Sequence, residues 1–278
     1  MHAALLQTLL AAFCAILAHH SFGVEGGGMM RAATAGMIGG KAADPFAALY
    51  PRWGTGDLVM ALNGIYNQGA AAEHDSSATT WVDLTGDVTF AKLSSSVGNA
   101  LWDANCMRCD ATKRCLKANL DLSGISAFTL EVFGYYNASW GMLLTTYKNT
   151  SGSSNANDVM AYGNNVGAEI NLHQSSNVRY IEYQKHGAPS TTDLCLTCDG
   201  SGNLVVYANG TQVATASTGS AALEAERAIR RIVLNGEVSI GAYSPNGSKI
   251  YGATIYGVAL TPQEVSALYA ANRSFYGI

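Results

Sequence analysis

The sequence predicts an all-β sandwich of antiparallel sheets with a short helix at its C-terminal end. Three observations carry that expectation. Charged residues make up only 13% of the chain, against about 25% in ordinary domains, while glycine is abundant (30) and proline scarce (5). That balance suits strands joined by tight polar turns. Four Asn-Gly pairs punctuate the chain: Asn63-Gly64, Asn209-Gly210, Asn235-Gly236 and Asn246-Gly247. Both residues tolerate positive φ, so the pair is the strongest short hairpin signal. Finally, from Lys249 to Tyr276 an apolar, aromatic strand (Ile250 to Leu260) runs straight into an amphipathic segment. A final strand tied to one packing helix fits a β-domain better than a catalytic α/β core.

The elements follow in chain order. Ala3 to Val24 holds no charged residue, and its apolar run is too short for a comfortable transmembrane helix. It suits an export signal over residues 1–23, with Ser21 and Gly23 at the −3 and −1 positions of a cut, although the leading region offers only His2. A buried or self-associating helix, or a start at Met29 or Met30, are the alternatives. Residues 24–56 read as a linker and transition: Val24 to Lys41 is rich in Gly, Ala and Met without a clean period. From 57 to 278 the strand pattern is continuous. Strands are expected at Phe128–Tyr136, Trp140–Lys148, Ala168–His173, Val178–Gln184 and Leu194–Cys198. Two hairpins follow, Leu204–Ala208 with Thr211–Ala216 and Ile232–Leu234 with Glu237–Ile240. The closing helix begins at Thr261, an N-cap followed by Pro262 at the first helical position and by Glu264 three residues on, a capping box. Val265, Leu268 and Tyr269 share one of its faces.

Four segments in order resemble the laminin-G-like modules of the concanavalin A-like lectin and glucanase superfamily. They are HDSSATTWVDLTG (His74–Gly86), LSGISAFTLEV (Leu122–Val132), LCLTCDGSGNLVVYANG (Leu194–Gly210) and IYGVALTPQEVSALYAANRSFYG near the end. The resemblance covers about residues 57–278 and implies a jelly roll of two antiparallel sheets, one concave, that binds sugars or proteins. The chain departs from the family in the Cys106–Cys115 insertion and in Phe133, where tryptophan is frequent.

Candidate chemistry is sparse. The net charge is −4 with no basic block, which argues against nucleic acid and against an anionic membrane surface as partner. Cys106/Cys109 and Cys195/Cys198 form two CxxC pairs, formally a zinc-ribbon pattern. Residues three apart on a strand face opposite ways, which disfavours a shared ion. A disulfide from Cys106 or Cys109 to Cys115, and plain buried thiols, both stay open. The superfamily's E-x-D-x-x-E glucanase run is missing, although Glu131 and Glu169 could meet across a concave sheet. Alternation places Glu131, Phe133 and Tyr135 on one face of their strand, and Glu169, Asn171 and His173 on one face of theirs. Sharing a concave sheet, these carboxylate, amide, imidazole and aromatic groups would suit a sugar. The Asn149–Asn165 loop, with Asp158 and Tyr162, adds oxygens and a ring at the rim, and Ca2+ is the one cofactor it could hold. The expected function is a non-catalytic extracellular binding module for a glycan or a cell-surface protein. It would be secreted, or sited on a virion or cell surface, with no membrane span after signal removal. A structural fibre or virion protein, and a glycoside hydrolase using Glu131 and Glu169, are the alternatives.

Overall fold

The structure, a computed structural model, describes residues 44–93, 98–109, 116–136, 141–147, 159–164, 167–174, 178–184, 190–220, 227, 230–235 and 247–278. The expected leader lies outside them. The elements are α1 (Pro45–Leu49), β1 (Leu58–Asn63), β2 (Trp81–Val82), β3 (Thr89–Lys92), β4 (Leu101–Asp103), β5 (Cys106–Arg108), β6 (Leu116–Asn119), β7 (Phe128–Tyr136), β8 (Gly141–Tyr147) and β9 (Val159–Asn164). They continue with β10 (Gly167–Gln174), β11 (Val178–Gln184), β12 (Ser190–Cys198), β13 (Asn203–Ala208), β14 (Thr211–Ser217), β15 (Arg231–Leu234), β16 (Lys249–Tyr256) and α2 (Pro262–Tyr276). None of the described helices is long and apolar enough to cross a membrane.

The strands form two antiparallel sheets, as the sequence predicts. The first runs β14-β13-β12-β7-β16-β5-β4, with β1 also paired to β16; the second runs β11-β10-β9-β8-β15-β6-β3-β2. Alternation along each strand sends one set of side chains between the sheets. Phe128, Leu130 and Val132 of β7 enter that core beside Leu196 and Cys198, and Leu116, Ile232 and Leu234 of the second sheet belong to the same cluster. Trp81 and Trp102 meet edge to face at 4.9 Å, and their indole N–H groups donate to the carbonyls of Asn63 and Ala78. These two indoles are therefore buried without an orphaned donor.

Part of the outer face of the first sheet is also covered. Ala61, Cys195, Tyr207 and Tyr256 on that face cluster with Val265 and Leu268 of α2 and with Phe46, Leu49 and Tyr50 of the α1 segment. Residues 44–56, read from sequence as part of a linker, thus pack into the domain. Sequence alone favours a linker there because the helix is one turn long and buries its apolar residues largely against distant parts of the chain, Tyr66, the sheet and α2. The capping box forms: Glu264 N–H donates to Thr261 Oγ1 at 3.2 Å, and Thr261 N–H to Glu264 Oε2 at 2.8 Å. Arg52, at φ 57, donates through Nε to Glu264 Oε1 at 2.8 Å and pairs with Asp57 at 3.1 Å. One carboxylate therefore caps α2 and clasps the N-terminal segment. Glu264→Ala is expected to cost about 1 kcal/mol, most of it the cap, since the ion pair is partly exposed. Urea unfolding checks this; an unchanged midpoint would mean that neither bond contributes.

The Asn-Gly pairs divide by context. Asn209 (φ 52) and Gly210 (φ 71) make the expected tight hairpin between β13 and β14. Asn235 also has positive φ, but the strand expected at Glu237–Ile240 lies outside the described residues. Asn63-Gly64 is no hairpin. Asn63 is fully buried, its Oδ1 accepts from Ile65 N–H, and its Nδ2 donates to Tyr50 Oη at 3.0 Å. Gly64 is required by close approach: a β-carbon would collide with the backbone of Asn105 and Cys106. Both CxxC pairs straddle the first sheet, with Cys198 and Cys109 in the inter-sheet core, Cys195 beneath the helices and Cys106 in a third cluster with Phe133 and Tyr251. Neither pair can chelate one ion. Cys115 lies outside the described residues.

Candidate functional site

The polar residues on the outer face of the first sheet fall into a sealed group and an open one. The sealed group lies under α2. Glu131 on β7 accepts a hydrogen bond from Thr254 Oγ1 at 2.7 Å and another from Asn272 Nδ2 of α2 at 2.7 Å. Asp193 on β12 lies beside the same carboxyl group, and both acids are about 1% exposed. No described N–H or O–H donates to the Asp193 oxygens. Two carboxyl groups in contact satisfy each other only by sharing a proton. Burial pushes Glu131 above the usual carboxylate range, against the pull of its hydrogen bonds. Burial and the neighbouring Glu131 charge push Asp193 up as well. Cys195 on the same face is buried as well, and its thiol is pushed up by burial and the two neighbouring carboxyl groups. The group anchors a helix and has no access to a substrate.

The open group starts where α2 ends. Phe133, Thr191, Tyr269, Arg273 and Ile278 line a cleft of about 210 Å³. The ring of Tyr269 stands edge-on to Phe133 at 6.5 Å. Arg273 gives its Nε–H to the Ile278 carbonyl at 2.9 Å, which fixes the guanidinium at the cleft wall. Beyond the cleft, a row of described side chains on the sheet stays partly exposed. Register sets Thr191 opposite Tyr135, Tyr135 opposite Lys249, and Lys249 opposite Arg108. At about 4.8 Å between strands, this row across β12, β7, β16 and β5 spans roughly 14 Å. Asp103 on β4 braces its cationic end, 3.1 Å from Arg108 and 3.2 Å from Lys249. Under the brace lies the Cys106 thiol, pushed up to about 12 chiefly by burial.

The expected site residues are dispersed. Glu131, Phe133 and Tyr135 share a face of β7 as predicted, but Glu131 is closed off by α2, Phe133 is 1% exposed and only Tyr135 is half-exposed. Glu169, Asn171 and His173 lie on β10 and Tyr162 on β9, both in the second sheet. The two strands therefore do not share one concave sheet, and the expected Glu131–Glu169 pair is corrected: the partner that Glu131 meets is Asp193, on the neighbouring strand. Most of the Asn149–Asn165 loop expected to offer oxygens to Ca2+, Asp158 included, lies outside the described residues, although Val159–Asn164 is strand β9. Sequence reading passed over Asp193, Thr191, Lys249, Tyr269 and Arg273. For Asp193 a signal existed, an acid at an alternating position of an apolar strand. Arg273 and Tyr269 gave none, because only the docking of α2 sets them beside Phe133.

No family model matches the chain, and no curated protein is similar to it in sequence. Solved structures share its fold. A Trypanosoma rangeli sialidase in complex with 2,3-difluoro-KDN matches at TM-score 0.55 and 13% identity, over 77% of this chain and 32% of the sialidase. The same organism's sialidase in complex with sialic acid matches at 0.52 and 14%, with the same coverage. The binding domain of botulinum neurotoxin serotype D matches at 0.55 and 11%, over 77% of this chain and 51% of that one. The chain thus spans about a third of the sialidases and half of the toxin domain. These identities establish the sandwich fold alone. They also overturn the expectation of a non-catalytic extracellular binding module. The same sandwich lies within chains that are enzymes by name, so the fold gives no ground for setting the protein apart from glycan-processing machinery.

Proposed function

We propose that the chain recognises glycans as part of glycan processing, seating one sugar residue between Thr191, Tyr269 and Arg273, with the buried Phe133 ring at the floor. The observation that carries this reading is the cleft itself: ring edges beside the Arg273 guanidinium and the Thr191 side chain, opening onto a row of partly exposed side chains on the sheet. Sugars need this mixture, since their C–H faces pack on rings while their hydroxyls need donors and acceptors. The cleft is smaller than the roughly 300–1,000 Å³ of drug-sized sites, which suits one residue of a chain that continues over the sheet. Support comes from the four laminin-G-like segments, which end in the helix that walls the cleft, and from a structural neighbour in complex with sialic acid. The buried Glu131–Asp193 pair cannot reach a glycosidic bond, so the test reads sugar release beside binding.

The test is a glycan array probed with the full chain, with released sugar measured in parallel. A defined set of glycans is expected to bind, and Tyr269→Ala to weaken them about tenfold, the loss of one aromatic contact of some 1–1.5 kcal/mol. Thr191→Ala should weaken them less, with an unchanged melting temperature. An array without hits, or hits indifferent to both substitutions, would overturn the reading.

A further inference from the structure

The sugar reading leaves open which glycans are taken, and the open face narrows the class. We infer that the ligand is an acidic oligosaccharide, with its anionic group on Arg273 and the rest of the chain lying across the strands toward Lys249 and Arg108. This rests on the cleft being a sugar site. The argument is one of charge and spacing. Over the cleft and the row beside it the described residues place three cations, Arg273, Lys249 and Arg108, against one acid, Asp103. The whole chain carries a net charge of −4, so this local excess of positive charge runs against the rest of the protein. It is also fixed. Lys249 and Arg108 are held by Asp103 with side chains 36% and 48% exposed, and Arg273 is tied by the Ile278 carbonyl. Held cations on an open sheet focus an anionic ligand without having to order floppy side chains first. A planar guanidinium takes a carboxylate through two parallel N–H bonds, and takes a sulfate by the same fork. The row of roughly 14 Å from Thr191 to Arg108 exceeds one sugar residue, and a ligand that occupied the cleft alone would leave Lys249 and Arg108 without a role. Tyr135, between Thr191 and Lys249, supplies the ring on which an intervening sugar can lie.

The test uses the full chain and one oligosaccharide backbone in three forms, neutral, carboxylated and sulfated, titrated calorimetrically at low and high salt. At least one acidic form is expected to bind tenfold or more tightly than the neutral form, with the advantage shrinking in high salt. Which acidic form is the tighter identifies the anionic group. Lys249→Gln should remove most of the acidic advantage while leaving neutral binding and the melting temperature as they are, whereas Arg273→Gln, a cleft residue, should weaken both forms and the acidic one more. Equal affinity for neutral and acidic forms would overturn this inference and leave the glycan reading standing. No binding of any form would overturn both. An acidic preference that survives both substitutions would remove it from this face.

Discussion

Glu131→Ala is expected to lower the unfolding free energy by about 3–5 kcal/mol, a large part of the ~5–15 kcal/mol that a domain possesses. Three losses combine. Thr254 and Asn272 lose the acceptor that each meets at 2.7 Å, and a buried donor without its partner costs about 1–3 kcal/mol. Asp193 stays buried beside an empty space with no group to share its proton. The removed side-chain carbons leave a cavity between the sheet and α2 that close packing fills only in part. The damage should concentrate at α2, because Asn272 is the helix's buried polar tie to the sheet. Hydrogen exchange in α2 should therefore quicken before that of β7. Glu131→Gln keeps the shape and one acceptor oxygen, and its amide can donate to Asp193, so it should cost less than about half as much. Urea unfolding followed by tryptophan fluorescence measures both. An Ala variant within 1 kcal/mol of the parent would show that the network contributes nothing to the fold.

That network explains what could and could not be read from the sequence. Strands β7, β11 and the β13–β14 hairpin are legible because their signals are local: alternation over six to nine residues and an Asn-Gly turn with both φ values positive. The α2 start is legible for the same reason, since Thr261, Pro262 and Glu264 interact within one turn. The short strands β1 to β6 escape because two to six residues carry too little period, and α1 because it is five residues long. The site was misread through layer order. Alternation correctly put Glu131, Phe133 and Tyr135 on one face of β7. It could not tell that α2 returns over that face, nor that β10, with Glu169, Asn171 and His173, joins the other sheet. A polar side chain on an alternating strand reads as solvated until something is found to cover it. Here the cover lies more than a hundred residues downstream, in Asn272.

The contribution of the Glu131–Asp193 pair to stability is expected to fall as pH rises from about 4 toward neutrality, and Asp193→Asn to remove much of that fall. The sign follows from proton counting. Unfolded carboxylates release their protons near pH 4, whereas burial holds the folded Glu131 and Asp193 protons to higher pH. Below that point both states are protonated and the pair contributes no pH dependence. Above it the unfolded state binds fewer protons than the native state, so stability declines with pH until the folded pair itself ionises. Each retained proton costs about 1.4 kcal/mol per pH unit in that window. Other carboxylates act with the opposite sign: Asp75, Asp121, Asp199 and Glu264 are held below the usual range, Glu264 chiefly by the Arg52 guanidinium and the others by Ser77, Ser123 and Asn203. The wild-type curve alone therefore mixes two signs, and the difference between parent and variant isolates the pair. Asp193→Asn has the same shape, titrates nothing and can donate its amide N–H to Glu131, a bond that favours the charged form. The variant should match the parent at pH 4 and exceed it by about 1–3 kcal/mol at pH 8. Urea midpoints at half-unit pH steps give the two curves. If they run parallel from pH 4 to 8, the two acids do not hold a proton that unfolding releases, and α2 rests on a sheet face with ordinary carboxylates.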